Sequence, residues 1–217
     1  IEEFHWVRLQ YLYPHAFPSD LLQVMATEPK VCKYVDIPLQ HIDTAVLKSM
    51  LRSTTREQTE SLLAEFRRLL PGAAFRTTLI TGFPTEGEAE FEELKRFVRD
   101  FRFDRLGVFP YSLEEGTPAY GLGDPVPAEK KESRAQEIMD LQEDISFQLN
   151  QEKVGKVYEV LIDREEGEFY VGRTEYDSPE VDNEVLVRVD SADLQPGGFY
   201  RVKITEAEAF DLYGDVL

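Results

Sequence analysis

Side chains that could bind a cofactor recur at the ends of the first strands that the sequence predicts. They combine amide, imidazole, guanidinium, hydroxyl and aromatic groups with an isoleucine and a glycine: Gln40, His41, Arg76, Thr78, Ile80, Gly82, Phe109 and Tyr111. Ligands of parallel α/β proteins bind beyond the carboxyl ends of the strands. Apolar groups form walls there, a few polar groups orient the ligand, and a glycine admits close approach to the backbone. We therefore predict a cofactor site at this edge.

Several of these residues also have a structural interpretation, and the sequence alone leaves both open. Gln40 and His41 could hydrogen-bond a cofactor or a substrate carboxylate, and His41 is the one candidate proton carrier. A lone histidine is, however, more often a structural hydrogen-bond donor. Arg76 could bind a carboxylate or form an ion pair on the surface. Phe109 and Tyr111 could form an aromatic wall or pack in the core.

Cysteine chemistry is limited by a single thiol, Cys32. An iron–sulfur cubane needs about three or four thiolates, so this chain alone cannot hold one. Cys32 lies among apolar residues and is expected to be a small buried hydrophobe. His5 and His15 show no metal-ligand spacing. We therefore predict no metal site, and a chain without a disulfide fits a cytoplasmic protein.

Strand and helix signals alternate over residues 1–126, which predicts an α/β domain with parallel strands and right-handed crossovers. We predict four strands: Val7–Tyr13, Val31–Leu39, Ala74–Gly82 and Arg105–Ser112. Four strands are half of an eight-stranded barrel. The chain lacks an initiator Met and begins with a strand signal already under way. We therefore expect it to be part of a longer protein, with further sequence upstream of Ile1.

Two helix starts carry the capping-box pattern, in which a side chain and a backbone donor of the first turn satisfy each other. Thr55 with Gln58 matches the pattern, and so does Thr85 with Glu88. Both pairs therefore predict helices that begin directly after the threonine.

The pattern changes to alternation after a long helix, Ala128–Gln151, which we place in a linking segment, residues 127–151. Residues 152–217 then contain five stretches with strand character: Val157–Asp163, Glu168–Arg173, Glu184–Val189, Phe199–Ala207 and Phe210–Val216. Five short strands separated by turns fit a small antiparallel β-barrel of the oligonucleotide-binding type.

Negative charge dominates the sequence, with a formal net charge of −18. Residues 152–217 hold 17 Asp or Glu against 7 Lys or Arg, a balance of −10, and the run Asp177–Asp182 is notably acidic. Such a field disfavours nucleic-acid phosphates and anionic membranes and favours a basic protein partner. The plainer interpretation is that the charge serves solubility.

Four segments resemble the methylthiotransferases of the radical S-adenosylmethionine superfamily. They are YVDIPLQH (Tyr34–His41), TTLITGFPTE (Thr77–Glu86), FDRLGVFPYSLEEGTPA (Phe103–Ala119) and GRTEYDSPEVDNEVLV (Gly172–Val187). The last segment is similar to the TRAM domain that ends these enzymes. The combination of PLQH and SLEEGT resembles most closely the branch that modifies a ribosomal protein, the RimO family.

The resemblance implies the second half of a radical S-adenosylmethionine barrel, of TIM type, followed by a TRAM barrel. S-adenosylmethionine would be the cofactor at the predicted edge, and two 4Fe-4S clusters would be held by cysteines upstream of Ile1. The implied reaction adds a methylthio group to the β-carbon of an aspartate in a basic small-subunit ribosomal protein. One adenosylmethionine would supply a radical and another the methyl group. This chain alone would then be inactive.

Three other functions stay open at this stage. A tRNA methylthiotransferase would share the motifs, but its last domain should be basic. A non-catalytic binding module would lack cluster-binding cysteines in the whole gene. A sugar or aldol enzyme would need a Schiff-base lysine near a strand end, and Lys33 and Lys48 are weak candidates.

Overall fold

The structure, a computed structural model, describes residues 3–190 and 193–217. Its first part alternates helices and strands, as predicted for an α/β domain. The elements are α1 (Ser19–Thr27), β1 (Tyr34–Asp36), α2 (Thr44–Ser49), α3 (Arg56–Leu69), β2 (Ala74–Thr81), α4 (Glu88–Phe101), β3 (Arg105–Pro110) and a 3₁₀ turn (Pro118–Leu122).

The three strands form a parallel sheet with β2 in the centre. Successive side chains of a strand point to opposite faces, and one face carries Leu79, Leu106 and Val108. These residues join the main core, which the helices complete with apolar side chains such as Leu63 and Leu94. The opposite face is therefore the one that can meet a ligand.

The prediction of four strands was wrong at the amino-terminal end. Among the described residues, Val7 makes only an isolated bridge to Val31, and Val7–Tyr13 is not a strand. Tyr11 adopts a left-handed conformation with φ 55°, which interrupts the extended run. The second predicted strand, Val31–Leu39, shortens to the three residues of β1. Proline at position 38 offers no backbone donor for a continued ladder.

The capping-box prediction was confirmed at one helix and wrong at the other. Thr55 accepts from Gln58 N at 3.3 Å, and Gln58 Oε1 accepts from Thr55 N at 2.9 Å. Helix α4 instead begins after Gly87, whose backbone N–H donates to Glu90 Oε2 at 2.9 Å. Thr85 pairs with the hydroxyl of Ser49 at 2.6 Å and so anchors the loop before the helix.

Helix α5 (Ala128–Gln151) spans the residues predicted for it and packs Ile138 and Ile145 on the main core. A closed five-stranded barrel follows, built from β4 (Val157–Glu166), β5 (Phe169–Arg173), β6 (Glu184–Arg188), β7 (Phe199–Ala207) and β8 (Asp211–Val216). The prediction of a fully antiparallel barrel was wrong in one pairing, because β6 and β8 run parallel. Closure through this pair leaves the barrel without a free edge.

The barrel has its own apolar core, formed by inward residues such as Val160, Val187 and Ile204. Buried and more exposed positions alternate over parts of β4 and β7, the pattern that predicted the barrel, whereas β5 has three buried residues in a row. Within the described part of the chain, no helix is both long and apolar enough to cross a membrane.

Candidate functional site

A cavity of about 380 Å³ opens at the carboxyl ends of the parallel strands. Three of the predicted ligand-binding residues, Gln40, Ile80 and Tyr111, line it together. The loop after α2 contributes further residues, among them Arg52, and the segment Thr117–Ala119 closes another side. The sequence prediction therefore located the cavity from residues that are up to about seventy positions apart.

Thr78 and Phe109 lie on the same face of the sheet as Ile80. The parallel register pairs Ile80 with Phe109 and Thr78 with Gly107, and paired residues of neighbouring strands share a face. Phe109 is 61% exposed rather than packed in the core, but neither its ring nor the Thr78 side chain lines the cavity. Thr81 points to the other face, where its hydroxyl donates to Lys131 O at 3.3 Å.

Gln40 enters the cavity from a strained backbone position. Its φ is +71°, in the left-handed region that L residues other than glycine, asparagine and aspartate rarely adopt. The conformation is fixed by two backbone hydrogen bonds of 2.8 Å, from Gln40 N to Thr78 O and from Ile80 N to Gln40 O. The side-chain amide has no hydrogen-bond partner in the parts of the chain that the structure describes. It is therefore free to bind a ligand.

Tyr111 provides an aromatic wall of the cavity, and its hydroxyl has no hydrogen-bond partner among the described residues. Its ring meets Phe83 edge to face at 5.0 Å between centroids. Its hydroxyl is buried and forms no hydrogen bond with any described residue. Burial, together with the carboxylates of Asp124 and Glu114, raises the pKa of Tyr111, so the phenol stays protonated and can donate. A buried donor of this kind favours a ligand with an acceptor.

Gly82 ends β2 with φ +72°, and its lack of a side chain serves a contact with α5. A Cβ there would overlap the side chain of Lys131, whose ammonium donates to Tyr111 O at 3.0 Å and Asp124 Oδ2 at 2.7 Å. The structure thus explains the glycine by helix packing. Its predicted contact with a cofactor stays a prediction.

A buried polar cluster beneath the cavity joins His41, Glu86 and Arg134. Glu86 Oε1 accepts from Gly82 N at 2.8 Å and from Arg134 Nη1 at 2.7 Å, and its Oε2 lies 3.1 Å from His41 Nε2. His41 Nδ1 accepts from Asp43 N at 2.9 Å, so the proton of the neutral ring is on Nε2. Both ring nitrogens of His41 are therefore engaged, as the structural interpretation of this residue requires.

Sequence reasoning missed Glu86, Arg134 and Lys131. The sequence of α5 could have revealed the two cations. Lys131 and Arg134 lie seven and four positions before Ile138, which places them on the apolar face of the helix. A cation on that stripe is buried and needs a partner. Glu86 was quoted within a motif without a role.

Arg76 lies at the opposite end of β2 from the cavity. Its guanidinium donates to Asp182 Oδ1 of the barrel domain at 2.6 Å and stands 3.8 Å from Asp36 Oδ1. The ion-pair alternative is thus what the structure shows for this residue. Arg52 is the arginine at the cavity, and it forms no ion pair with any described residue.

The acidic run Asp177–Asp182 was predicted to contribute to a negative field that favours a basic partner, but two of its three acids are internal and paired with arginines. Asp177 is fully buried and binds Arg105 and Thr174, and the Arg105 and Lys153 charges lower the pKa of its carboxyl despite burial. Asp182 accepts from Tyr34 Oη at 2.6 Å as well as from Arg76. These acids therefore fasten the barrel to the sheet.

Cys32 is fully buried in a small cluster with Tyr34 and Ala74, and burial raises the pKa of its thiol. This agrees with the prediction of a small hydrophobe. Across residues 3–190 and 193–217, no three His, Cys, Asp or Glu side chains are grouped so that they could hold a metal ion.

Comparison with known proteins identifies the barrel domain. The family model described as the TRAM domain matches residues 154–217, the closed barrel. The fold therefore defines a class of protein in which a parallel α/β domain with a ligand cavity packs against a TRAM barrel.

Curated relatives extend the match to the whole chain. Proteins named ribosomal protein uS12 methylthiotransferase RimO are 56% identical over 217 residues in Christiangramia forsetii and 55% identical over 215 residues in Flavobacterium psychrophilum. The corresponding protein of Cytophaga hutchinsonii is 50% identical over 217 residues. These matches cover 100%, 99% and 100% of this chain but 48%, 50% and 50% of the relatives. The chain belongs to the RimO family and spans about half the length of these relatives.

Proposed function

We propose that this chain is part of a methylthiotransferase that modifies ribosomal protein uS12 by radical S-adenosylmethionine chemistry, at the β-carbon of an aspartate. The observation that carries the proposal is the identity of 50–56% to RimO proteins over the whole chain, together with a cavity at the strand ends. The parent would act in the cytoplasm, and its catalytic sheet (residues 1–126) and TRAM barrel (152–217) would be separate domains joined by α5.

The side chains that line the cavity match the chemical groups of S-adenosylmethionine. Tyr111 and Ile80 offer flat and apolar walls for adenine, and the free Tyr111 hydroxyl and Gln40 amide offer hydrogen bonds. Arg52 supplies a cation for the carboxylate, which is one of the two roles that the sequence left open for Arg76. When bound, this cofactor supplies the methyl group and the radical. The residues named here bind it, orient it and exclude water.

The cluster His41–Glu86–Arg134 supports the cavity from below. It ties the β1–α2 loop, which carries Gln40, to the β2–α4 loop and to α5. Preorganised ligand groups of this kind depend on a second layer of fixed hydrogen bonds. We therefore assign His41 a positioning role and leave proton transfer out of the proposal.

Iron–sulfur clusters do not fit the residues of this chain. A 4Fe-4S cluster takes about four cysteine thiolates, and Cys32 is a single buried thiol. The proposal therefore places both clusters of the parent outside this chain, and no step is derived through them. It follows that the chain alone should be inactive.

We propose a basic partner because the surface of the barrel is acidic even when the buried carboxylates Asp177 and Asp182 are left out. The exposed carboxylates of the barrel domain include Glu159, Asp163, Glu165, Glu166, Glu168, Glu180, Asp190, Asp193, Glu206, Glu208 and Asp215. A field of this sign favours encounter with a cationic protein and disfavours RNA. The affinity should therefore fall as the salt concentration rises.

Mass spectrometry of uS12 tests the proposed function. Cells that make the longer protein containing this chain should carry a methylthio group on one uS12 aspartate, and cells without the gene should not. The substitution Arg52→Met in the longer protein should lower the modified fraction. An unmodified uS12 together with a methylthiolated tRNA would overturn the proposal in favour of the tRNA enzyme.

A further inference from the structure

The edge of β3 that faces away from β2 has free backbone groups. Tyr111 N donates to Thr81 O at 2.8 Å, so the odd-numbered residues bond to β2 and the even-numbered residues point outward. The N–H groups of Leu106 and Val108 thus lack a backbone acceptor within the described part of the chain. A free strand edge is a template for pairing with another extended segment.

This edge borders a second cleft, of about 310 Å³, between the sheet, α5 and the connection from β5 to β6. Leu106 and Gly107 form one wall, Gln142 a second, and Glu180 and Asn183 a third. A glycine within a strand often marks a place where another backbone approaches closely. The cleft therefore lies beside the strand edge, at a site distinct from the cofactor cavity.

Two buried side-chain amides on its walls have unused hydrogen-bonding atoms. Gln142 is 1% exposed, and its Nε2 donates to Phe103 O at 2.8 Å, but its Oε1 has no partner among the described residues. Asn183 is 3% exposed, and its Nδ2 likewise lacks a partner there. Unused buried polar atoms cost free energy. One acceptor and one donor match the N–H and C=O groups of a peptide, once each amide rotates toward the cleft.

Glu180 gives the cleft a charge preference, because Arg76 and Arg105, which also line it, are paired with Asp182 and Asp177. Its carboxylate is exposed and forms no ion pair with a described residue, and its φ of +68° is a strained value for a glutamate. Such strain persists only where the surrounding structure imposes it, and it is concentrated at ligand sites. An unpaired carboxylate held at the rim favours a lysine or arginine on the incoming segment.

We propose that this cleft binds an extended basic peptide segment, which adds as a strand to the free edge of β3 and places a cation against Glu180. The inference deepens the proposed function and rests on it, because the basic protein uS12 would supply the segment. Main-chain hydrogen bonds would give affinity, and the contact with Glu180 would give specificity.

Titration of the 217-residue chain with purified uS12 tests the proposal. Glu180→Lys should weaken binding by about tenfold or more, since charge reversal replaces attraction by repulsion. The control Glu165→Lys makes the same change at an exposed barrel residue outside the cleft and should change affinity by less than about twofold. Hydrogen exchange at the Leu106 and Val108 amides should slow in the complex, which a distant docking site would not cause.

The outcomes separate the two proposals. Binding of uS12 with equal affinity by both variants, or with unchanged exchange at Leu106 and Val108, would overturn the cleft and leave the proposed function standing. No binding of uS12 by the unaltered chain, with binding of tRNA instead, would overturn both. Circular dichroism of each variant confirms that a loss of binding is not a loss of fold.

Discussion

Glu86 Oε2 and His41 Nε2 lie 3.1 Å apart, and both side chains are fully buried between the ends of two neighbouring strands. With Arg134 on the other carboxylate oxygen, this pair fixes the loops that carry the cavity. Glu86→Ala should lower the free energy of unfolding by about 3–5 kcal/mol, because it leaves Arg134 buried without its main partner. Urea unfolding measures the loss.

Glu88 is the matched control for this substitution, because its carboxylate also binds Arg134, at 3.1 Å, but is 67% exposed. Glu88→Ala should cost less than about 1 kcal/mol, since exposed ion pairs contribute little. Equal losses for the two substitutions would contradict the role assigned to Glu86.

The left-handed backbone at Gln40 predicts that the backbone determines the stability of substitutions at this position, whereas the side-chain amide determines ligand binding. Gln40→Gly should be more stable than Gln40→Ala by about 1 kcal/mol, because glycine adopts φ +71° without strain. Both variants should bind S-adenosylmethionine more weakly than the unaltered chain, since both lack the amide.

Thermal unfolding and ligand-observed NMR give the two readouts for Gln40. Arg102→Gly is the control, because Arg102 also has a positive φ, 57°, but caps α4 away from the cavity. It should leave the binding of S-adenosylmethionine unchanged. A glycine at position 40 that destabilised the chain relative to alanine would show that the conformation is not strained.

The ion pair between Arg76 and Asp182 predicts coupling between the sheet and the barrel. A double-mutant cycle with Arg76→Met and Asp182→Asn should give an interaction energy of about 1–3 kcal/mol, because the Asp182 side chain is fully buried. The exposed pair Arg164 and Glu184 is the control and should give less than about 1 kcal/mol. Equal coupling in the two cycles would contradict a fastening role for Asp182.

Lys153, which follows α5, predicts how the free energy of unfolding depends on pH. Burial, and then repulsion by Arg105, lower the pKa of Lys153 from 10.5 to about 8 in the folded chain. Between these two values the unfolded chain binds more protons, so the stability contributed by Lys153 rises with pH. Relative to Lys153→Met, the unaltered chain should gain on the order of 1–3 kcal/mol from about pH 8 to about pH 10.5.

Urea unfolding of both proteins across this range gives the Lys153 difference, in which the other titrating groups cancel. The difference should be flat below about pH 7, where lysine is charged in both states. A difference that stays constant up to high pH would show that Lys153 is not desolvated in the folded chain.

The sequence predicted the elements better than the contacts between them. Strand β7 has its predicted bounds, and α3 has its predicted cap, because alternation and capping are local patterns. Val7–Tyr13 has the local pattern of a strand, but a strand also requires a partner along its whole length. That requirement cannot be seen in one segment.

The cavity was also predictable from local patterns, whereas the pairing of charges was not. Gln40, Ile80 and Tyr111 were predicted from strand ends, where topology brings ligands. The sequence left Arg76 open between a ligand carboxylate and an ion pair on the surface and indicated no partner for Asp182, because their mutual ion pair joins positions 106 apart in the sequence. Long-range pairing of charges depends on how the two domains dock, which no local pattern encodes.

Binding of S-adenosylmethionine to the 217-residue chain tests the central claim most directly. Saturation-transfer NMR should show contact of the adenosyl group with the unaltered chain, a weaker signal with Arg52→Met or Tyr111→Ala, and an unchanged signal with Arg76→Met. A signal that is absent from the unaltered chain, or that depends on Arg76 and not on Arg52 and Tyr111, would contradict the assignment of this cavity to the cofactor.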